Sequence, residues 1–207
     1  MTLEQPSSLC SAISMLLDDC RHYGTFTFAN LARQGFIATL LLQSLKNIGV
    51  IGYAEFSNLH ATLPTIASDL ANKLSQLVDG KLNREDYLKE FGHLRPGTYD
   101  ILSHSYQEEP DLYLSNLSPI GQGTLLSSEN GVFESLMANL GLGEICDKYD
   151  MGFTESEMIS FIRAAIPGRE WGKFEFSKNL SAALALIRQL GAILGLSADD
   201  MSMLPIW

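Results

Sequence analysis

The chain has 207 residues, 46% of them hydrophobic, which is enough to bury a substantial core and excludes disorder for most of its length. Its formal net charge of -10 is opposed by no Lys/Arg cluster, a balance that repels a phosphate backbone and excludes nucleic-acid binding. Cys10, Cys20 and Cys146 form no CxxC pair and leave one thiol over in any disulfide scheme, so they read as buried thiols of a reducing compartment rather than as a redox or metal site.

The N-terminus carries Glu4 and no basic residue ahead of an apolar run, unlike a secretory signal. The charge-free stretch from Gln34 to Leu45 falls well short of the roughly 18 to 20 apolar residues of a membrane span. A cytoplasmic protein without membrane partners is expected.

Leu9, Ala12, Ile13, Leu16, Leu17 and Cys20 recur at helical spacing after the candidate caps Ser7 and Ser8, which predicts an amphipathic helix ending at Gly24. From Phe28 to Leu45 apolar residues cover nearly every face, so this second helix is placed at the centre of the core. Ile66, Ala67, Leu70, Leu74, Leu77 and Val78 predict a third helix, stopped by Asp79-Gly80. Asn83 then opens a short helix from Arg84 to Phe91, closed by Gly92.

Residues 92–127 hold Pro96, Pro110 and Pro119 with four glycines and read as a long irregular connection, a length that is usually functional or disordered. Helices resume at Val132 to Leu140. Thr154-Glu155-Ser156-Glu157 is a capping box for a helix that Pro167-Gly168 should stop. A last long helix is predicted from about Glu170 to Leu194, and Ser197 to Asp200 caps a final turn. Strand periodicity is nearly absent, so the fold class is all-α. It is expected as a multi-helix bundle in one compact domain, with helical parts over 1–91 and 128–207 and the loop 92–127 between them.

No Gly-rich nucleotide motif, nucleophile elbow, HExxH pair or EF-hand loop occurs, so neither a bound metal nor an autonomous active site is expected. Two places concentrate polar groups. His93, Arg95, Tyr99 and Asp100 lie within eight positions of a Gly/Pro-framed loop, the mixture of planar cation and proton carrier that an anionic acceptor needs. The competing reading is a rigid turn in which Arg95 pairs with Asp100 and His93 caps the preceding helix. Arg169 and Lys173 stand at i and i+4 where the last helix is expected to begin, and two cations beside free backbone N–H groups would seat a phosphate. Here the competing reading is a surface pair balanced by Glu170 and Glu175. His22, His60, His104 and the adjacent Asp18-Asp19 read as structural.

The segment FGHLRPGTYDILSHSY resembles the "GHLRPGTYDI-SxRY" stretch of phosphoenolpyruvate synthase-like phosphotransferases. DDCRHYGTFTFANLARQGFIATLLLQSL, GREWGKFEFSKNLS and GLSADDMSML are similar to flanking parts of the same family, so the likeness covers nearly the whole chain. It implies the central helical domain of such an enzyme, which holds a small anionic acceptor and is inactive by itself. An ATP-grasp domain with ATP and magnesium and a swivelling phosphohistidine domain would be its partners in one polypeptide, and Met1 and Trp207 are read as boundaries within it. By resemblance the His93–Asp100 loop lines the acceptor pocket, and Arg169 and Lys173 match R-E-x-x-K positions that steady the phosphoryl group. The family's arginine in "SxRY" is replaced here within His104-Ser105-Tyr106, which removes one anion contact and suggests an acceptor other than pyruvate. The alternative to this reading is a non-catalytic structural or interaction module.

Overall fold

The computed structural model describes residues 5–115 and 131–204. Among them every regular element is helical, as the sequence predicts. The helices are α1 (Pro6–Asp19), α2 (Phe26–Asn47), α3 (Tyr53–Ala61), α4 (Ile66–Val78), α5 (Arg84–Phe91), α6 (Pro110–Leu114), α7 (Val132–Ala138), α8 (Leu142–Lys148), α9 (Glu155–Ile193) and α10 (Ala198–Ser202). None is long and apolar enough to cross a membrane.

Local chemistry sets many of the boundaries. Asn83 accepts a bond from the Asp86 N–H at 2.8 Å and opens α5. Ahead of α9, Thr154 Oγ1 accepts from the Glu157 N–H while Glu157 Oε2 accepts from the Thr154 N–H, the reciprocal cap expected there. Ser197 and Asp200 repeat this arrangement before α10. At the start of α1 it is Pro6, in the first turn, that fixes the entry, and neither Ser7 nor Ser8 is the cap.

The chain divides into two compact units that interleave in sequence, in place of the successive segments 1–91, 92–127 and 128–207. One unit comprises Met1–Thr27, Leu70–Gly121 and Lys173–Trp207, and the other Phe28–Asp69 and Gln122–Gly172. Both α2 and α9 contribute to each unit, so sequence order does not follow packing order.

In the second unit, α2 buries Gly35, Ala38, Leu42 and Leu45 on one stripe against a core that includes Leu59, Phe133, Met137, Leu142 and Ile162. The expectation that α2 is surrounded on all sides is corrected. Phe36 is 59% exposed, and Ile37 and Leu40 share that outward side. A spacing of 35, 38, 42 and 45 fills a single face of a helix, and the remaining apolar residues have no described partner layer.

The expected stop at Pro167-Gly168 is also corrected, because α9 runs through both residues without a break. Proline within a helix removes one N–H and costs about 3 kcal/mol, so packing on either side must offset it. Ile162, Ala165, Ile166 and Pro167 are buried, and the glycines that follow serve close approach rather than termination. A Cβ on Gly172 would stand 2.7 Å from Leu31 Cδ1, and one on Gly35 would stand 3.0 Å from Arg169 Cβ.

In the first unit α1 does not end at Gly24. It passes through a π-helical segment, Cys20–Thr25, directly into α2. Gly24 is buried where a Cβ would stand 2.7 Å from Phe176 Cβ, so the glycine permits contact with α9. Tyr87 and Phe91 of α5 pack in the same unit, Phe91 edge-on to Phe174 with ring centroids 5.7 Å apart.

Candidate functional site

The stretch after α5 is a closed loop rather than an open connection. Its ends are tied where the Gln107 N–H donates to Gly92 O at 2.8 Å and the Tyr106 N–H to Leu94 O at 2.9 Å. Within it, the Asp100 N–H donates to Gly97 O, the Gly97 N–H to Ser103 Oγ, and the Leu102 N–H to Asp100 Oδ1. A Cβ on Gly97 would lie 2.8 Å from Asp100 Cβ, so the turn requires glycine there for space. The part of the expected loop beyond residue 115 lies outside the described residues.

Arg95 points into this loop. Only 6% of it is exposed, and its guanidinium donates to Ser103 O at 2.8 Å, Ser181 O at 3.0 Å, Ser181 Oγ at 2.8 Å and Glu108 Oε2 at 3.3 Å. The expected pairing with Asp100 is therefore replaced by pairing with Glu108. A guanidinium engaged on this many sides has little left to offer a ligand.

Arg188, on the following turns of α9, completes the arrangement. Its Nη1 donates to His104 Nδ1 at 2.7 Å and to Glu108 Oε1 at 3.2 Å, and its Nη2 donates to Ile101 O. Arginine only donates, so His104 is neutral at Nδ1 and carries its proton on Nε2. Glu108 thus lies between two guanidiniums. Burial pushes its carboxyl up, but the Ser105 N–H and hydroxyl together with Arg188 and Arg95 outweigh this and hold it below its usual value.

His93 faces inward. Its Nε2 contacts Phe174 O at 3.2 Å, and its ring meets the Phe174 ring edge-on at 4.6 Å. Burial, aided by Lys178, holds its pKa below the usual 6.5, against the opposing pull of the Phe174 and Glu90 carbonyls and Glu175. It is a neutral packing histidine at pH 7, tied to α9 as well as to α5.

The outward members of the motif are Tyr99 and Asp100, both exposed. Lys173 belongs to the same unit and places Nζ 6.0 Å from the centre of the Tyr99 ring. Among the described residues no carboxylate is within ion-pair distance of Lys173, and Glu175, one candidate to balance it, pairs instead with Lys178 at 2.7 Å. Arg169, one helical turn earlier and in the other unit, lies over the Phe36 ring at 5.1 Å, also without a described carboxylate partner. Both residues are in the interior of α9. The free N–H groups expected beside them at a helix start are absent, since α9 begins at Glu155.

The six residues singled out in the sequence therefore separate. His93 and Arg95 are internal ties, Tyr99, Asp100 and Lys173 are accessible together in one unit, and Arg169 belongs to the other. Sequence reasoning missed Glu108, Ser181 and Arg188. A signal existed only for Arg188, a lone cation within the apolar repeat of the last helix, a position where charge needs a partner. Among the described residues no group of three or more His, Cys, Asp or Glu is arranged to hold a metal ion.

No protein-family model, no curated protein and no solved structure matches this chain.

Proposed function

We propose that this chain is the acceptor-binding helical domain of a phosphoenolpyruvate synthase-like phosphotransferase, acting with an ATP-grasp domain and a swivelling phosphohistidine domain of the same polypeptide in the cytoplasm. The reading draws on the likeness of the His93–Asp100 segment to that family. The observation that carries it is the Lys173 ammonium over Tyr99, exposed and without a carboxylate partner among the described residues. Phosphoryl transfer asks mainly for positioning and for positive charge at the transferring oxygens, which such a lysine supplies. The residues described here do not suit magnesium or nucleotide, so those components are assigned to the other domains and no step is drawn through them.

In this role Arg95 positions rather than binds. Its contacts to Ser103, Glu108 and Ser181 hold the loop on α9, so that Tyr99 and Asp100 are presented on a stiff frame. The same internal ties favour a second reading, a structural or interaction module, since a motif whose arginine is consumed by the fold needs no ligand to explain it.

Calorimetric titration of the 207-residue chain with inorganic phosphate, sulfate and pyruvate separates the two. The phosphotransferase reading expects anion binding that weakens several-fold in Lys173→Ala. Absence of binding by all three anions, or binding indifferent to both Lys173→Ala and Arg169→Ala, leaves the structural module.

A further inference from the structure

A hollow of about 640 Å³ lies within the first unit, walled by α1, the last turns of α9, α10 and the Tyr99–Ile101 edge of the closed loop. Ile13 and Leu17, Ile187 and Leu190, and Ile101 make its wall apolar. Asp100 is the one charged residue among the described residues that line it. One carboxylate oxygen of Asp100 accepts from the Leu102 N–H, and no cation pairs with the group. Asp18 and Asp19 line an adjoining hollow that shares Cys10 and Ser14, so the approach is acidic as well.

We infer that this hollow binds an amphiphilic amine, with the hydrocarbon body against α1 and α9 and the ammonium on Asp100. Three properties converge on that class. The volume is within the roughly 300–1,000 Å³ of small-molecule sites, the wall is apolar with a single polar anchor, and the anchor is an accessible carboxylate in a chain of net charge -10. A fatty acid or alkyl phosphate of the same length would bring a second negative charge beside Asp100, and a neutral alcohol would forgo the charge-assisted bond. The inference goes beyond the phosphotransferase reading and does not rest on it, since binding here requires neither a donor nor Lys173.

The test is calorimetric titration of the intact chain, below micellar concentrations, with n-hexylamine, n-octylamine, n-octanol and n-octanoate. Each added CH2 buried should tighten binding about four-fold, so octylamine should bind about 16-fold more tightly than hexylamine. Octylamine should also exceed octanol, and octanoate should be weakest. Asp100→Asn keeps an oxygen for the Leu102 N–H and should lower octylamine affinity to that of octanol while leaving octanol unchanged. The inference is overturned if octanoate equals octylamine, if affinity ignores chain length, or if Asp100→Asn has no effect. It is overturned equally if light scattering shows a dimer and amines bind only after dilution to monomer, because a second copy then covers the hollow. Phosphate titration of Asp100→Asn reports separately on the phosphotransferase reading, which predicts that anion binding at Lys173 survives.

Discussion

Arg95 and Ser181, 86 positions apart in sequence, meet through both the hydroxyl and the carbonyl of the serine, at 2.8 and 3.0 Å. The contact fastens the closed loop to α9 at a buried point, and the loop's shape depends on it. Arg95→Met should destabilise the chain by about 3–5 kcal/mol, because Glu108 keeps its charge with one partner fewer. Ser181→Ala should cost only about 1 kcal/mol, the net worth of an ordinary hydrogen bond. Arg95→Lys should behave more like Met than like wild type, since an ammonium cannot reach Ser103, Glu108 and Ser181 as a planar fork does. Urea denaturation of the three variants gives the order.

His93 gives stability a pH dependence whose sign follows from its burial. Its folded pKa is held below 6.5, so the unfolded chain takes up the proton first. The contribution is fully present above 6.5 and is lost as pH falls from that value down through the folded pKa. Urea midpoints should decline from pH 7.5 to pH 5. His93→Gln should flatten that slope in part, the remainder coming from His60, whose pKa burial also lowers. An unchanged slope in the variant would contradict the assignment.

Glu108 acts at lower pH. Its folded pKa lies below the usual 4.5, so its contribution is present above 4.5 and disappears as pH falls through the folded value. Glu108→Gln should destabilise the chain at pH 7, where Arg95 and Arg188 lose their shared counter-charge. The difference from wild type should shrink in acid unfolding between pH 5 and pH 3.

Two glycines at close helix contacts should respond differently to alanine. On Gly172 the new methyl meets the Leu31 Cδ1 tip, which can rotate away, so the loss should be small or reversed by the roughly 1 kcal/mol gain in helix propensity. On Gly24 it meets Phe176 Cβ, fixed to its backbone, and Gly24→Ala should lose about 1–3 kcal/mol. Thermal midpoints of the pair check this.

Pro167→Ala should restore the missing N–H within α9 and stabilise the chain by about 1–3 kcal/mol, less whatever packing the buried ring supplies. A loss of stability would mean that the ring's contacts outweigh the hydrogen bond.

Much of the helical layout was legible in the sequence because short-range chemistry decides it. Asn83, Thr154 and Ser197 each cap the helix that their spacing to Asp86, Glu157 and Asp200 implies. Where a local signal competes with packing, the reading failed. Gly24 and Pro167-Gly168 look like stops, yet contacts to Phe176 and Leu31 keep the helices running. The outward side of α2 could not be distinguished from a buried one, because Phe36 and Leu40 are as apolar as Ala38 and Leu42. In the candidate site the composition of the loop was visible, but its division into internal ties and accessible groups was not. Whether Arg95 faces Asp100 or Glu108 depends on Ser181, far along the chain. α3 and α8 were missed because each is short and leans on tertiary contacts rather than on a long periodic stripe.

The π-helical segment Cys20–Thr25 holds one residue more per turn than its α-helical neighbours. Such a turn behaves as a phase shifter: it lets Leu9 remain inside while Gly24 stays against Phe176, two demands that a uniform helix would set at odds by about 100°. Removing a single residue from 20–25 would straighten the backbone and leave composition almost untouched, yet it would turn one of those two faces outward. The surplus residue is therefore a setting in the register of the N-terminal helix, and shortening the chain there should be far more damaging than substituting any one of the six side chains except Gly24.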